Sequence, residues 1–147
     1  MIKKRTPRQV LSATSLFFFF FIVFNTMFFR SLAQTSKWVA PKEANDLKNP
    51  LVASNNILAA AKILYINNCS PCHGNKGHGD GPAASGLNPK PADHSSTAVQ
   101  SETDGTLFWK LSEGRTPMPS YKNILTDEQR WELVTYIRSL AKVTKKK

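Results

Sequence analysis

Asn68-Cys69-Ser70-Pro71-Cys72-His73-Gly74 sets two thiols three positions apart, with an imidazole directly after the second. The chain has 147 residues and only these two cysteines. A disulfide between them would close too short a loop to stabilise much. A thioredoxin-like redox pair uses the same C-x-x-C spacing, but it needs a βαβ setting and has no use for the histidine. Structural zinc takes four ligands, and only His78 and His94 are left to supplement Cys69, Cys72 and His73.

C-x-x-C-H is instead a haem-attachment sequence. Thiols at this spacing reach the two vinyl groups of one porphyrin as thioethers, and the histidine that follows is held beneath the iron as proximal ligand. Covalent tethering lets a small domain keep its haem without a deep pocket. The expected cofactor is one covalently attached haem c, bound through Cys69, Cys72 and His73.

Upstream of the motif, the polar cluster Ser54-Asn55-Asn56 caps an expected amphipathic helix over 56–68, carried by Ile57, Leu58, Ala61, Leu64 and Tyr65. Downstream, Gly74 to Pro91 reads as loop, with five glycines and three prolines. Residues 92–102 are polar and weakly patterned. A short helix is expected over 103–113, with Leu107, Phe108 and Leu111 on one side and Gly114 to end it. A second loop, 115–125, carries Pro117, Met118 and Pro119.

The last helix has the clearest signature. Thr126 and Gln129 make a capping box, and Asp127 and Glu128 suit the first turn. Leu133, Val134, Ile137, Leu140 and Ala141 form its apolar stripe; Glu128, Glu132, Thr135, Ser139 and Lys142 form its expected wet face. No strand and no internal repeat stand out, so the expected class is all-α.

The N-terminus looks like an export signal. Lys3, Lys4, Arg5 and Arg8 precede an apolar run from Leu16 to Phe29, broken only by Asn25 and Thr26, and Ser31-Leu32-Ala33 offers a cleavage site after Ala33. The run is short against the roughly 20 residues of a spanning helix. The alternative is an uncleaved anchor, which would keep the body at the outer face of the membrane. No cysteine sits where a lipoprotein would need one. The expected organisation is signal peptide 1–33, extended leader 34–53, haem domain 54–143 and basic tail 144–147, in a periplasmic location.

The formal charge of +10 is unevenly spread. Of twenty Lys and Arg, five fall in residues 1–33, which hold no acids, leaving fifteen against ten Asp and Glu in the rest. So small an excess, without a basic stripe interleaved with aromatics, argues against nucleic acid as partner. Lys145-Lys146-Lys147 is a solvated tail or a steering patch for an acidic partner.

The order of these features resembles the class I cytochromes c over nearly the whole chain after the signal. In that family a helix leads into the haem motif, a second crosses it at the C-terminus, and a methionine ligand arrives from the loop before the last helix. Here these are 56–68, 69–73, Thr116-Pro117-Met118-Pro119 and the helix from 127. Cys72-His73-Gly74 with Gly79-Asp80-Gly81, and Thr126-Asp127-Glu128-Gln129 with Tyr136-Ile137-Arg138, look like bacterial periplasmic members. One departure is Ala61, where the family often has glycine at the helix crossing.

The resemblance implies Met118 as the sixth iron ligand, and Met/His ligation raises the haem potential. Met118 is the only methionine outside the signal. His94 is the competitor for bis-His ligation, with a surface position as its expected place; His78 is expected to be exposed. The resemblance also implies that a carbonyl in Pro89-Lys90-Pro91 accepts from His73. Arg115, Trp109 and Tyr121 are candidates to bond the propionates, and Phe108, Leu111, Trp131 and Tyr136 are expected in the core.

The expected function is single-electron transfer between redox proteins, with membrane respiratory complexes as partners, no small-molecule substrate and no enzymatic activity. Two alternatives compete. One is a haem subunit of a larger oxidase, reductase or dehydrogenase; the other is a gas-binding or peroxidase-like protein with an open iron position.

Overall fold

The computed structural model describes residues 37–141. The segments read as signal and basic tail lie outside the described residues. The described residues from Val39 form one compact unit. Among the described residues there are five α-helices, in chain order α1 (Asn55–Asn68), α2 (Ser70–His73), α3 (Thr97–Gln100), α4 (Asp104–Glu113) and α5 (Asp127–Ser139). Among the described residues there is no strand, and no helix is long and apolar enough to cross a membrane. The all-α expectation holds.

Local chemistry starts each long helix. Ser54 Oγ accepts from the Ile57 amide at 3.3 Å, and Thr103 Oγ1 from the Thr106 amide at 3.1 Å. Thr126 and Gln129 bond reciprocally, at 3.2 and 2.9 Å, as the capping box requires. Helix α4 ends at Gly114 as expected.

α1 and α5 make the principal helix pair. Ala61 and Tyr65, one turn apart on α1, are fully buried, as are Leu133 and Val134 of α5. Alanine at the crossing therefore keeps the close approach that its small volume predicts. Phe108 of α4 stacks on Trp131 of α5 with ring centroids 4.0 Å apart. The buried Arg130 lays its guanidinium over the Phe108 ring, 4.7 Å from its centre, and bonds Ser112 and Asp127. Ala61, Tyr65, Trp131, Leu133 and Val134 share one core with Cys69, Leu107, Leu111 and Tyr136, and Phe108 packs against it.

The leader differs from its extended expectation. Lys42–Asp46 is a 3₁₀ helix packed on α4, and Asn45 Oδ1 accepts from Thr106 Oγ1 at 2.7 Å. Further along, Asn49 Nδ2 donates to Thr135 Oγ1 at 2.9 Å and to the Trp131 carbonyl at 3.3 Å. Thr135 is consequently buried, not on the wet face of α5. Its neighbours along the helix gave no sign of this, because the cover comes from a segment 86 residues away.

Candidate haem-attachment site

Cys69 caps the end of α1, its amide donating to the Tyr65 carbonyl at 2.8 Å. The chain then makes one further helical turn: the amides of Cys72 and His73 donate to the Cys69 carbonyl at 3.1 and 2.8 Å. Cys69, Cys72 and His73 thus stand at i, i+3 and i+4, the spacing that puts side chains on one helix face. Both thiols are free; Cys69 is buried and Cys72 half-buried.

The Gly-rich loop folds back to close this turn. The amides of Ala83, Gly81 and Gly79 donate to the carbonyls of Pro71, Cys72 and His73 at 2.9, 3.1 and 2.8 Å, groups that a helix end otherwise leaves orphaned. Only glycine fits at 81, since a Cβ there would lie 2.5 Å from the Ser70 and Pro71 carbonyl oxygens. The motif is therefore gripped by the backbone of the loop that follows it.

His73 is held at one nitrogen. Its Nδ1 lies 2.9 Å from the Ala92 carbonyl oxygen. A carbonyl only accepts, so Nδ1 carries the proton and the Nε2 lone pair is left for a metal. Burial lowers the His73 pKa, with the Ala92 bond opposing, which favours the neutral imidazole that a metal needs. The acceptor is thus one residue beyond the expected Pro89–Pro91 stretch.

His94 is the largest correction. It is not a surface residue: it is buried at 9% exposure, and its ring stacks on His73 with centroids 4.0 Å apart and planes 18° from parallel. Its Nδ1 shares a 3.0 Å hydrogen bond with the Tyr65 hydroxyl. Burial, and the nearby His73 charge, push its pKa down to about 3, with Asp93 opposing, so it is neutral at physiological pH. With its face on His73 and its nitrogen on Tyr65, His94 is not placed as a second axial ligand. His78 is exposed as expected, with Nδ1 3.2 Å from Ser95 Oγ.

Met118 sits half-buried against the core cluster that includes Cys69. Two backbone bonds pinch its loop, Arg115 amide to Met118 carbonyl at 3.0 Å and the reverse at 2.8 Å. Tyr121 is not a propionate donor here, because its hydroxyl donates to the Asn68 carbonyl at 2.7 Å. Phe108, Leu111, Trp131 and Tyr136 pack in or against the core as expected.

The donor set fits haem c. Two unpaired thiols and an imidazole of fixed tautomer occupy one helical face, and the His94 stack covers the ring's face without using the in-plane Nε2 lone pair. The competing readings fit less well. Burial, and then the neighbouring Cys72, push the Cys69 thiol up to about 12, opposite to the lowered value of a reactive redox cysteine. Among the described residues no three His, Cys, Asp or Glu side chains gather to grip a bare metal ion, which disfavours zinc.

Comparison with known proteins agrees with this geometry. Residues 58–141 match the family model described as cytochrome c. No curated protein matches the chain. Among solved structures, it is similar to a chain of the Kuenenia stuttgartiensis reducing HAO-like protein complex, at 31% identity and a TM-score of 0.57. That likeness covers 66% of this chain and 48% of the other, so this chain spans about half its length.

Proposed function

The chain belongs to the cytochrome c family, and from that premise we propose that it is a class I, single-haem cytochrome carrying single electrons between exported or membrane-bound redox partners. Bound haem c supplies the one-electron ferric/ferrous couple. The protein supplies everything that positions it. Cys69 and Cys72 tether the porphyrin edge. His73, whose Nδ1–H donates to the Ala92 carbonyl, would hold the iron through Nε2. Met118, on its pinched loop, would hold it with a soft thioether, a donor that favours ferrous iron and raises the potential.

The observation that carries the reading is the single helical face bearing two free thiols and a tautomer-fixed imidazole. The sequence has cysteines for one covalent haem and no more. Two protein donors on one iron leave no position for a substrate, so the role is electron transfer without catalysis. The signal-like N-terminus supports a periplasmic setting, with membrane respiratory complexes as partners, and membrane attachment if that segment is retained.

Carbon monoxide binding to the ferrous protein tests the closed site. The wild type should bind it slowly and weakly, while Met118→Ala, with haem still attached, should bind it readily. Equal, rapid binding by both would turn the assignment to a gas-binding or peroxidase-like protein.

A second reading draws on the likeness to a chain from the HAO-like complex: this chain as the haem subunit of a larger oxidoreductase. A stable partner retained through purification from the native host would favour it over a free carrier.

A further inference from the structure

A hydrogen bond at Nδ1 does not by itself fix an imidazole plane. The terminal torsion of a histidine is broad, and the ring can still pivot about the Nδ1···O axis. In this structure the pivot is closed by a second histidine, whose face lies 4.0 Å from that of His73.

His94 is itself tied at one ring nitrogen and at both backbone polar groups. Its ring nitrogen is bonded to Tyr65 of α1, whose hydroxyl comes from the fully buried centre of the helix crossing. Its amide donates to the Gly77 carbonyl at 2.6 Å, and its carbonyl accepts from Gln100 Nε2 at 2.7 Å. The same Gln100 amide donates to the Ile137 carbonyl of α5 at 2.8 Å, joining the segment to the core. Gly77, at φ +76°, leaves room: a Cβ there would lie 3.0 Å from His94 Cβ and 3.3 Å from the Tyr65 hydroxyl. The acceptor for His73, Ala92, lies two residues before His94 in the same held segment.

Resting on the assignment of His73 as proximal ligand, we propose that His94 is a positioning residue: stacked on His73 and anchored by Tyr65, it sets the rotational orientation of the proximal imidazole plane. Second-sphere contacts orient metal ligands in this way. The new element is a face contact from a second imidazole, relayed from the helix crossing through one hydroxyl.

In a low-spin ferric haem the plane of the axial imidazole decides how unpaired spin spreads over the four ring methyls. The test is therefore the proton NMR shift pattern of those methyls in the holo-protein. His94→Ala should change the order or the spread of the methyl shifts, and His94→Phe, which keeps a stacking face but loses the bond to Tyr65, should fall between His94→Ala and the wild type. Tyr65→Phe, which removes only the anchor, should shift the pattern in the His94 protein and have no further effect in the His94→Phe protein. That non-additivity does not require His94→Ala to fold.

An unchanged pattern in His94→Ala would overturn the proposal, as would an equal effect of Tyr65→Phe in both backgrounds. A wild type with no attached haem, or without histidine ligation, would overturn the underlying assignment instead.

Discussion

Tyr121 concentrates two roles in one hydroxyl. It is buried and donates to the Asn68 carbonyl at 2.7 Å, joining the loop after Met118 to the last turn before Cys69. Removing it in Tyr121→Phe should cost about 1 kcal/mol in urea denaturation. Burial, followed by the two cysteines, raises its pKa from 10.0 to about 12. The native state therefore holds this proton longer than the unfolded chain, so the contribution is complete below pH 10 and is lost as pH climbs from there toward 12. Tyr121→Phe should show a shallower alkaline fall in stability than the wild type; an identical alkaline limb would remove Tyr121 as its source.

At this same scale the sequence was most informative where chemistry is local. Cys69, Cys72 and His73 declare themselves by spacing alone, and Thr126 with Gln129 by the cap they form. His94 was illegible because its burial depends on Gly77 and on Tyr65, 29 residues earlier, and on a Gln100 side chain that is held in turn by α5. A histidine after Pro-Ala-Asp looks like any polar loop residue. A lone tyrosine at an internal helix position gives no sign of where its hydroxyl ends.

Elements were legible in type and less so in cover. Helices α1, α4 and α5 follow from periodicity and caps that the sequence carries within each segment. Ala61 is fully buried where α1 meets α5, so Ala61→Leu should overpack the crossing and cost roughly 1–3 kcal/mol in thermal or denaturant unfolding, with no loss of helix content. The docking of the leader was hidden, since Asn49 and Asn45 act through tertiary hydrogen bonds that leave no periodic trace. Asn49→Ala breaks the bonds to Thr135 and Trp131 and leaves those groups under a cover that water must then enter. It should lower stability by about 1–2 kcal/mol. Faster hydrogen exchange should appear over the leader, while α1 keeps its protection.

For the whole molecule, the modest positive excess outside residues 1–33 includes Lys142 and the three terminal lysines. If that charge steers encounter with an acidic partner, electron-transfer rates to such a partner should fall as salt rises, and deletion of Lys145–Lys147 should weaken the dependence. A rate indifferent to both salt and deletion would leave the tail without a steering role. The packing argument at this scale is separate from charge: a small helical domain gains from haem an apolar surface it cannot supply alone. This gives the cytochrome c assignment a structural consequence as well as a chemical one.

The most direct test of that assignment is an optical spectrum of the protein matured with a haem-attachment system, recorded oxidised and then reduced. The account predicts a low-spin c-type spectrum that survives denaturing extraction of free haem, with a far-red sulfur-to-iron band in the ferric state that disappears in Met118→Ala. A high-spin spectrum lacking that band in the wild type would contradict Met118 as ligand, and a colourless protein would contradict the reading of Cys69, Cys72 and His73 altogether.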